Sequence, residues 1–328
     1  MYKIWLERAL PPHFAHLLDG FAEPLGPASA TPDDPFYAVS EADAIMASKL
    51  RYDASVMDRA PKVKVISRTG IGYDKVDIPA ATERGIAVCN APDGPTISTA
   101  EHTIMLMLAT AKNMKRSERE LRDGRPGYDF YQNHIGIELY QSTLGLVGFG
   151  RIGRRVATIA QALGMKVLAY DPFIKSEQAS ALGVEFIATW KDLLHASDFV
   201  SLHVPLTTDT YRMMNAERFA QMKRGAVFIN AARGGLVDET ALLDALDSGH
   251  LFAAGLDVTD PEPAHPDNPL LKRENVIVTP HVASATNAGK DRIYEIAISQ
   301  VLQVLRGERP PHLVNPEVWK KAGLDHEK

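Results

Sequence analysis

The run Gly148-Phe149-Gly150-Arg151-Ile152-Gly153 constrains this chain more than any other segment, because of what flanks it. Upstream, Ser142-Thr143-Leu144-Gly145-Leu146-Val147 is a short apolar run with the pattern of a buried parallel strand. Downstream, Val156, Ile159, Ala160 and Leu163 recur at helical spacing. The next strand, Met165 to Tyr170, ends at Asp171, about 20 residues past the glycines. In such a strand-turn-helix each glycine has its own task. Gly148 allows the tight turn, Gly150 lets a pyrophosphate approach the backbone, and Gly153 lets helix pack on strand. The helix start, at Arg151 and Ile152, offers unpaired N–H groups to phosphate. A carboxylate at Asp171 accepts hydrogen bonds from an adenosine ribose and repels a 2′-phosphate. Pro172-Phe173-Ile174 brings no arginine to receive that phosphate, so NAD is expected rather than NADP.

A length of 328 residues suggests two domains, since single cores rarely grow beyond about 250–300 residues. Net charge is −5 with no basic cluster, which points away from nucleic acid and anionic membranes. Cys89 is the only cysteine, which excludes a disulfide framework and fits a reducing compartment. The N-terminus is interrupted by Lys3, Glu7 and Arg8 and lacks an apolar signal core. The most apolar helix, Ile104 to Ala111, is too short to span a bilayer and is flanked by Glu101, His102 and Lys112. A soluble, cytoplasmic protein is expected.

Strands are expected at Tyr2–Leu6, Asp43–Ala47, Val63–Ser67 and Ile86–Asn90, with helices between them, notably Pro79 to Arg84. A long helix, Thr96 to Arg116, is apolar on most faces and so reads as buried. Asp123 to Tyr140 reads as irregular and aromatic-rich. From Thr143 a second series begins, with strands at Thr143–Val147, Lys166–Tyr170, Val184–Ile187, Phe199–Val204, Ala226–Asn230, Ala253–Leu256 and Val276–Thr279. Helices join most of these, including Glu239 to Ser248, and a last helix runs from Ala288 to Leu305. The fold class is therefore α/β, with two doubly wound parallel sheets. Because the glycine fingerprint sits mid-chain, residues 98–287 are expected to form a Rossmann dinucleotide domain. It is inserted into a second domain made of residues 1–97 and 288–328.

Ligands of open parallel sheets bind beyond the carboxyl ends of the strands. Gly148, Asp171, His203-Val204-Pro205, Arg233, Asp257 and His281 each follow an expected strand, a run of polar residues at one edge that implies a cleft. Reducing a 2-oxo acid requires a cation to hold the carboxylate and polarise the carbonyl, which Arg233 offers. It also requires a proton source, for which His281 is suited, and a carboxylate that keeps the imidazole charged, for which Glu262 is placed between Pro261 and Pro263. The spacing alone does not choose this set, since Arg233 by itself also reads as a phosphate ligand, His281 as a turn residue after a proline and Glu262 as solvated surface.

Four runs carry a resemblance: Val147 to Gly153, Asn230 to Glu239, Gly255-Leu256-Asp257-Val258 with Pro261-Glu262-Pro263, and Thr279-Pro280-His281. In this order, over nearly the whole chain, they resemble the D-isomer-specific 2-hydroxyacid dehydrogenase family. The resemblance implies that Arg233 binds and polarises substrate, that His281 is the general acid/base and that Glu262 pairs with it. It implies that Asp257 meets the nicotinamide carboxamide and that Thr99 lies near the same end. His203, Pro205, Thr210 and Ala231 join the cofactor-binding set, with Arg233 and His281 bordering it. It also implies a flavodoxin-like outer domain, in which Gly70, Ile71 and Gly72 form a substrate-carboxylate loop with Arg68 beside it. Arg68 matches a basic position of 3-phosphoglycerate dehydrogenases, whereas Ala47 stands where those enzymes carry another arginine. Glyoxylate or hydroxypyruvate reduction is equally compatible. The formate dehydrogenase branch carries glutamine where Glu262 stands and is disfavoured. Relatives of the C-terminal binding protein type, which sense NADH and bind peptides, offer a different reading. The resemblance further implies a homodimer formed through the nucleotide domain, with Ile104 to Ala111 and the aromatic segment after Asp123 as candidate interface.

Overall fold

The computed structural model describes residues 1–26, 33–124 and 128–321. The chain divides into two compact units, Met1–Pro95 with Thr286–Lys328, and Thr96–Ala285.

Among the described residues the first unit holds five strands: β1 (Tyr2–Leu6), β2 (Ala22–Leu25), β3 (Ala44–Ala47), β4 (Val65–Arg68) and β5 (Ala87–Cys89). They lie parallel in the order β2-β1-β3-β4-β5, the flavodoxin-like doubly wound order. A parallel sheet must be covered on both faces, and strand alternation divides the side chains accordingly. Ile4, Leu6, Ala44, Met46 and Val65 pack against Ala297, Ile298 and Val301 of the helix Asn287–Leu305. Trp5, Ile45, Ala47, Ile66 and Val88 face the other way, onto Val56, Met57 and Ala80. β2 was not expected from the sequence. Its proline, Pro24, cannot donate to a ladder, and β2 tolerates it only because it is an edge strand.

The second unit holds β6 (Thr143–Val147), β7 (Lys166–Tyr170), β8 (Glu185–Phe186), β9 (Phe199–Leu202), β10 (Ala226–Asn230), β11 (Leu251–Leu256) and β12 (Val276–Val278). All run parallel, in the order β12-β11-β10-β9-β6-β7-β8. The winding reverses between β6 and β9, which is where a Rossmann sheet opens its ligand crevice. Leu202, Phe228 and Leu256 build one core face, and Leu146, Phe199 and Ile229 build the other. The helix Thr96–Ala111 lies so close to β11 that a Cβ on Gly255 would stand 3.0 Å from Leu106 Cβ and 3.3 Å from Thr110 Cγ2.

The long helix expected over Thr96–Arg116 is two helices. The first ends at Ala111, Asn113 takes the left-handed φ of 50°, and a second begins at Met114 and runs to Arg122. Asparagine is one of the few residues that enters that region easily. Nor is the first helix buried all round. Ala100, Leu106 and Met107 are in the core, whereas Ile97, Met105 and Leu108 are exposed. Within the segment expected to be irregular, Tyr128–Asn133 is helical, and residues 125–127 lie outside the described residues. Among the described residues no helix is long and apolar enough to cross a membrane.

Candidate active site

The glycine loop is pressed against the end of β9. Gly148 has φ 94°, and a Cβ there would stand 2.5 Å from the His203 carbonyl oxygen. A Cβ on Gly153 would stand 2.4 Å from the Gly148 carbonyl oxygen. Gly150 differs: its Cβ would meet no heavy atom within 4 Å. Two glycines thus serve internal packing, and the third leaves open space over the start of the helix Arg151–Ala162. That helix has no side-chain cap at Gly150. The first N–H groups of an α-helix lack intrahelical partners, so Arg151, Ile152 and Gly153 begin a ready anion site. Asp171 closes the loop, its Oδ2 accepting the Phe149 N–H and its Oδ1 the Phe173 N–H, each at 2.8 Å. The residues present therefore fit a dinucleotide.

Beyond β9, His203 Nε2 lies 3.0 Å from Ser201 Oγ, and burial pushes its imidazolium down to about 4, so it is neutral at physiological pH. Pro205 is exposed, and its carbonyl accepts the Thr210 hydroxyl at 2.7 Å. The same hydroxyl accepts the Thr207 N–H, so Thr210 shapes this turn. Ala231 is half-buried just past β10.

The chemistry gathers at the neighbouring strand ends. Asn230, last in β10, accepts the Ala232 N–H on its side chain and donates to the Arg233 carbonyl at 2.8 Å. Arg233 then leads into a tight turn, Gly234–Leu236. A Cβ on Gly234 would stand 2.0 Å from the Thr259 carbonyl oxygen, so the Arg233 turn lies directly on the loop that follows β11. That loop carries Glu262, whose Oε1 is 2.6 Å from His281 Nδ1. Both side chains are about one-third exposed. With a carboxylate as acceptor, Nδ1 carries the proton and Nε2 is the ring nitrogen left to react. His281 holds φ 54°, left-handed and unusual for a side-chain-bearing residue.

Three residues of the expected set are buried. Asp257 is fully buried, taking hydrogen bonds from Thr279 Oγ1 (2.6 Å), the Val282 N–H (2.9 Å) and the Ala283 N–H (2.8 Å). By these bonds it holds the His281 loop. Burial pushes its carboxyl up, yet the hydrogen bonds from His102, Thr279, Val282 and Ala283 hold it below the ordinary carboxylate value. Thr99 is 6% exposed, on the helix Thr96–Ala111. Arg68 is 9% exposed, and its guanidinium donates to the carbonyls of Gly72 and Ser48.

In the first unit, all three carbonyls of the Gly70-Ile71-Gly72 loop are engaged, by the Ala91 N–H (2.9 Å), Asn90 Nδ2 (2.8 Å) and Arg68 Nε (2.9 Å). These bonds tie the loop to β4 and to the segment after β5. Glu7 supports the adjacent loop, its buried carboxylate accepting N–H groups from Ser48, Lys49 and Leu50 and the Tyr52 hydroxyl. Sequence reasoning missed Glu7 and His102. Their partners are distant in sequence, and only Glu7, a carboxylate just past an apolar strand, left any signal.

The family model for the NAD binding domain of D-isomer specific 2-hydroxyacid dehydrogenase matches residues 104–283. A D-3-phosphoglycerate dehydrogenase from Archaeoglobus fulgidus is 43% identical over 271 residues, 83% of this chain and 51% of that protein. The chain thus spans about half the length of that relative. A glyoxylate reductase from Korarchaeum cryptofilum is also 43% identical, over 269 residues, 82% of this chain and 81% of that protein. Among solved structures, the TT0316 protein from Thermus thermophilus matches with a TM-score of 0.86 at 40% identity, covering 95% of this chain and 99% of the other.

Proposed function

Since the chain belongs to the D-isomer-specific 2-hydroxyacid dehydrogenase family and carries its NAD-binding domain, we propose that it is an NAD-dependent dehydrogenase interconverting a small 2-oxo acid and its D-2-hydroxy acid. The observation that carries this reading is the 2.6 Å pair of His281 Nδ1 with Glu262 at the ends of neighbouring strands, beside the Arg233 turn.

NAD, when bound, supplies or takes up the hydride. The Gly148–Gly153 loop and the helix start at Arg151 would hold its pyrophosphate, and Asp171 its adenosine ribose. Arg233 offers a planar set of donors to the substrate carboxylate and carbonyl. In the reducing direction His281 gives a proton from Nε2 to the carbonyl oxygen, and in the oxidising direction it takes one back. Glu262 fixes the tautomer and ring orientation by accepting at Nδ1. The backbone N–H groups of the small-residue Gly70–Gly72 loop would receive the substrate carboxylate. The commitment of Arg68 to two carbonyls favours an unphosphorylated acid, glyoxylate or hydroxypyruvate, over phosphohydroxypyruvate. We further assign a homodimer to the exposed apolar residues Met105, Leu108, Met114 and Ile135 of the nucleotide unit.

NADH consumption over glyoxylate, hydroxypyruvate, phosphohydroxypyruvate and larger 2-oxo acids, with NADPH in parallel, tests the reading. Turnover with NADH on one of the two small acids is expected. Tight NADH binding with no turnover on any acid overturns it in favour of a sensing role, and a preference for NADPH overturns the reading of Asp171.

A further inference from the structure

His102 is a nearly buried titratable residue, its side chain 14% exposed, that the chemistry above does not use. It stands on the helix Thr96–Ala111, and its Nε2 lies 2.9 Å from Thr279 Oγ1 and 3.3 Å from Asp257 Oδ1. The hydroxyl proton of Thr279 is already committed, since Thr279 donates to Asp257 at 2.6 Å. The Thr279 oxygen can therefore only accept from His102, which fixes the protonated nitrogen of His102 as Nε2.

What this arrangement supports is the backbone of His281. A left-handed conformation in a side-chain-bearing residue persists only where the surroundings over-determine it. Here three successive N–H groups converge on one aspartate. His281 donates to the Asp257 carbonyl (2.8 Å), Val282 to Oδ1 (2.9 Å) and Ala283 to Oδ2 (2.8 Å). Asp257 is thus the anchor of the loop, and His102 with Thr279 sets the rotation of its carboxylate. The hydrogen bonds that hold the Asp257 carboxyl below its ordinary value include the one from His102.

We propose that His102 is a positioning residue: through Thr279 and Asp257 it holds the His281 loop so that Nδ1 meets Glu262 and Nε2 faces the reacting group. The inference rests on the reading of His281 as the proton donor and acceptor. Two variants test it. His102→Leu removes the donor, whereas His102→Gln places an amide N–H near the same point. Two readouts are needed, steady-state kinetics and amide hydrogen exchange at His281, Val282 and Ala283. In His102→Leu, kcat is expected to fall about tenfold while the Kd for NADH stays within about twofold, and the three amides are expected to exchange about tenfold faster. His102→Gln is expected to recover both readouts to within about threefold. Wild-type kcat and wild-type protection in His102→Leu overturn the proposal, as does a His102→Gln variant no better than His102→Leu. Should the leucine variant not fold, His102→Asn, too short to reach Thr279, carries the same expectations. If the wild-type enzyme turns over no acid, the proposed function fails. Amide exchange still decides this inference: unchanged protection overturns it and faster exchange supports it.

Discussion

His203 folds as a neutral imidazole, and the cost appears on acidification. Its folded value near 4 lies below the ordinary 6.5, so between those limits the unfolded chain binds a proton that the folded chain does not. Stability is full above pH 6.5 and is lost as pH falls toward 4, by up to about 3 kcal/mol. Urea unfolding at about pH 7 and about pH 4.5 should show this loss in the wild type and a smaller one in His203→Gln. Asp257 has the carboxylate version of the same sign. Its lowered value contributes stability above the ordinary aspartate range, lost only as pH drops through the folded value. At Glu262 the expectation is kinetic. Glu262→Gln keeps an acceptor for Nδ1 but loses the charge, so kcat should fall about 10–100-fold with the Kd for NADH unchanged. An unaltered kcat would remove Glu262 from the chemistry. Of these residues, Glu262 and His281 were singled out by the family resemblance, since the local settings alone, one between two prolines and the other after one, read equally as a surface carboxylate and a turn residue. The engagement of Arg68 and Asp257 was not legible, because burial and partners are set by strands far apart in the chain.

At the scale of elements, the glycine loop separates packing from ligand space. Gly153→Ala drives a Cβ to 2.4 Å from a backbone carbonyl and should cost about 1–3 kcal/mol of stability. Gly150→Ala has room, at an ordinary φ of −74°, and should melt like the wild type while NADH affinity falls at least about tenfold, since the methyl occupies the approach to the helix start. Calorimetry with fluorescence titration of NADH separates the two outcomes, and equal NADH affinity in Gly150→Ala would place the dinucleotide elsewhere. The strand Ala226–Asn230 was readable as an apolar run, as strands buried on both faces require, and Tyr2–Leu6 from the apolar Ile4-Trp5-Leu6 that follows Lys3. β2 was hidden because an edge strand can carry Glu23 and Pro24. The break at Asn113 was hidden because apolar spacing continues across it, and only a backbone angle ends the helix.

For the whole molecule, the chain leaves the first unit at Pro95 and returns at Thr286, and each unit completes a doubly wound sheet of its own. The insertion was legible from the mid-chain position of the glycine fingerprint. The exposed side chains Met105 and Leu108 make a quaternary prediction. Light scattering at micromolar concentration should give twice the chain mass of 35.9 kDa, and Leu108→Glu combined with Met105→Glu should lower it to that of a single chain. A single-chain mass in the wild type removes the dimer. The central claim is that His281 passes the proton while the strand-end loops hold cofactor and acid. Its most direct test is single-turnover oxidation of enzyme-bound NADH by glyoxylate or hydroxypyruvate, in wild type and His281→Ala. The expected result is a transient at least about 100-fold slower in the variant with the same NADH affinity. Equal transients in the two proteins would contradict the assignment of His281 and the account built on it.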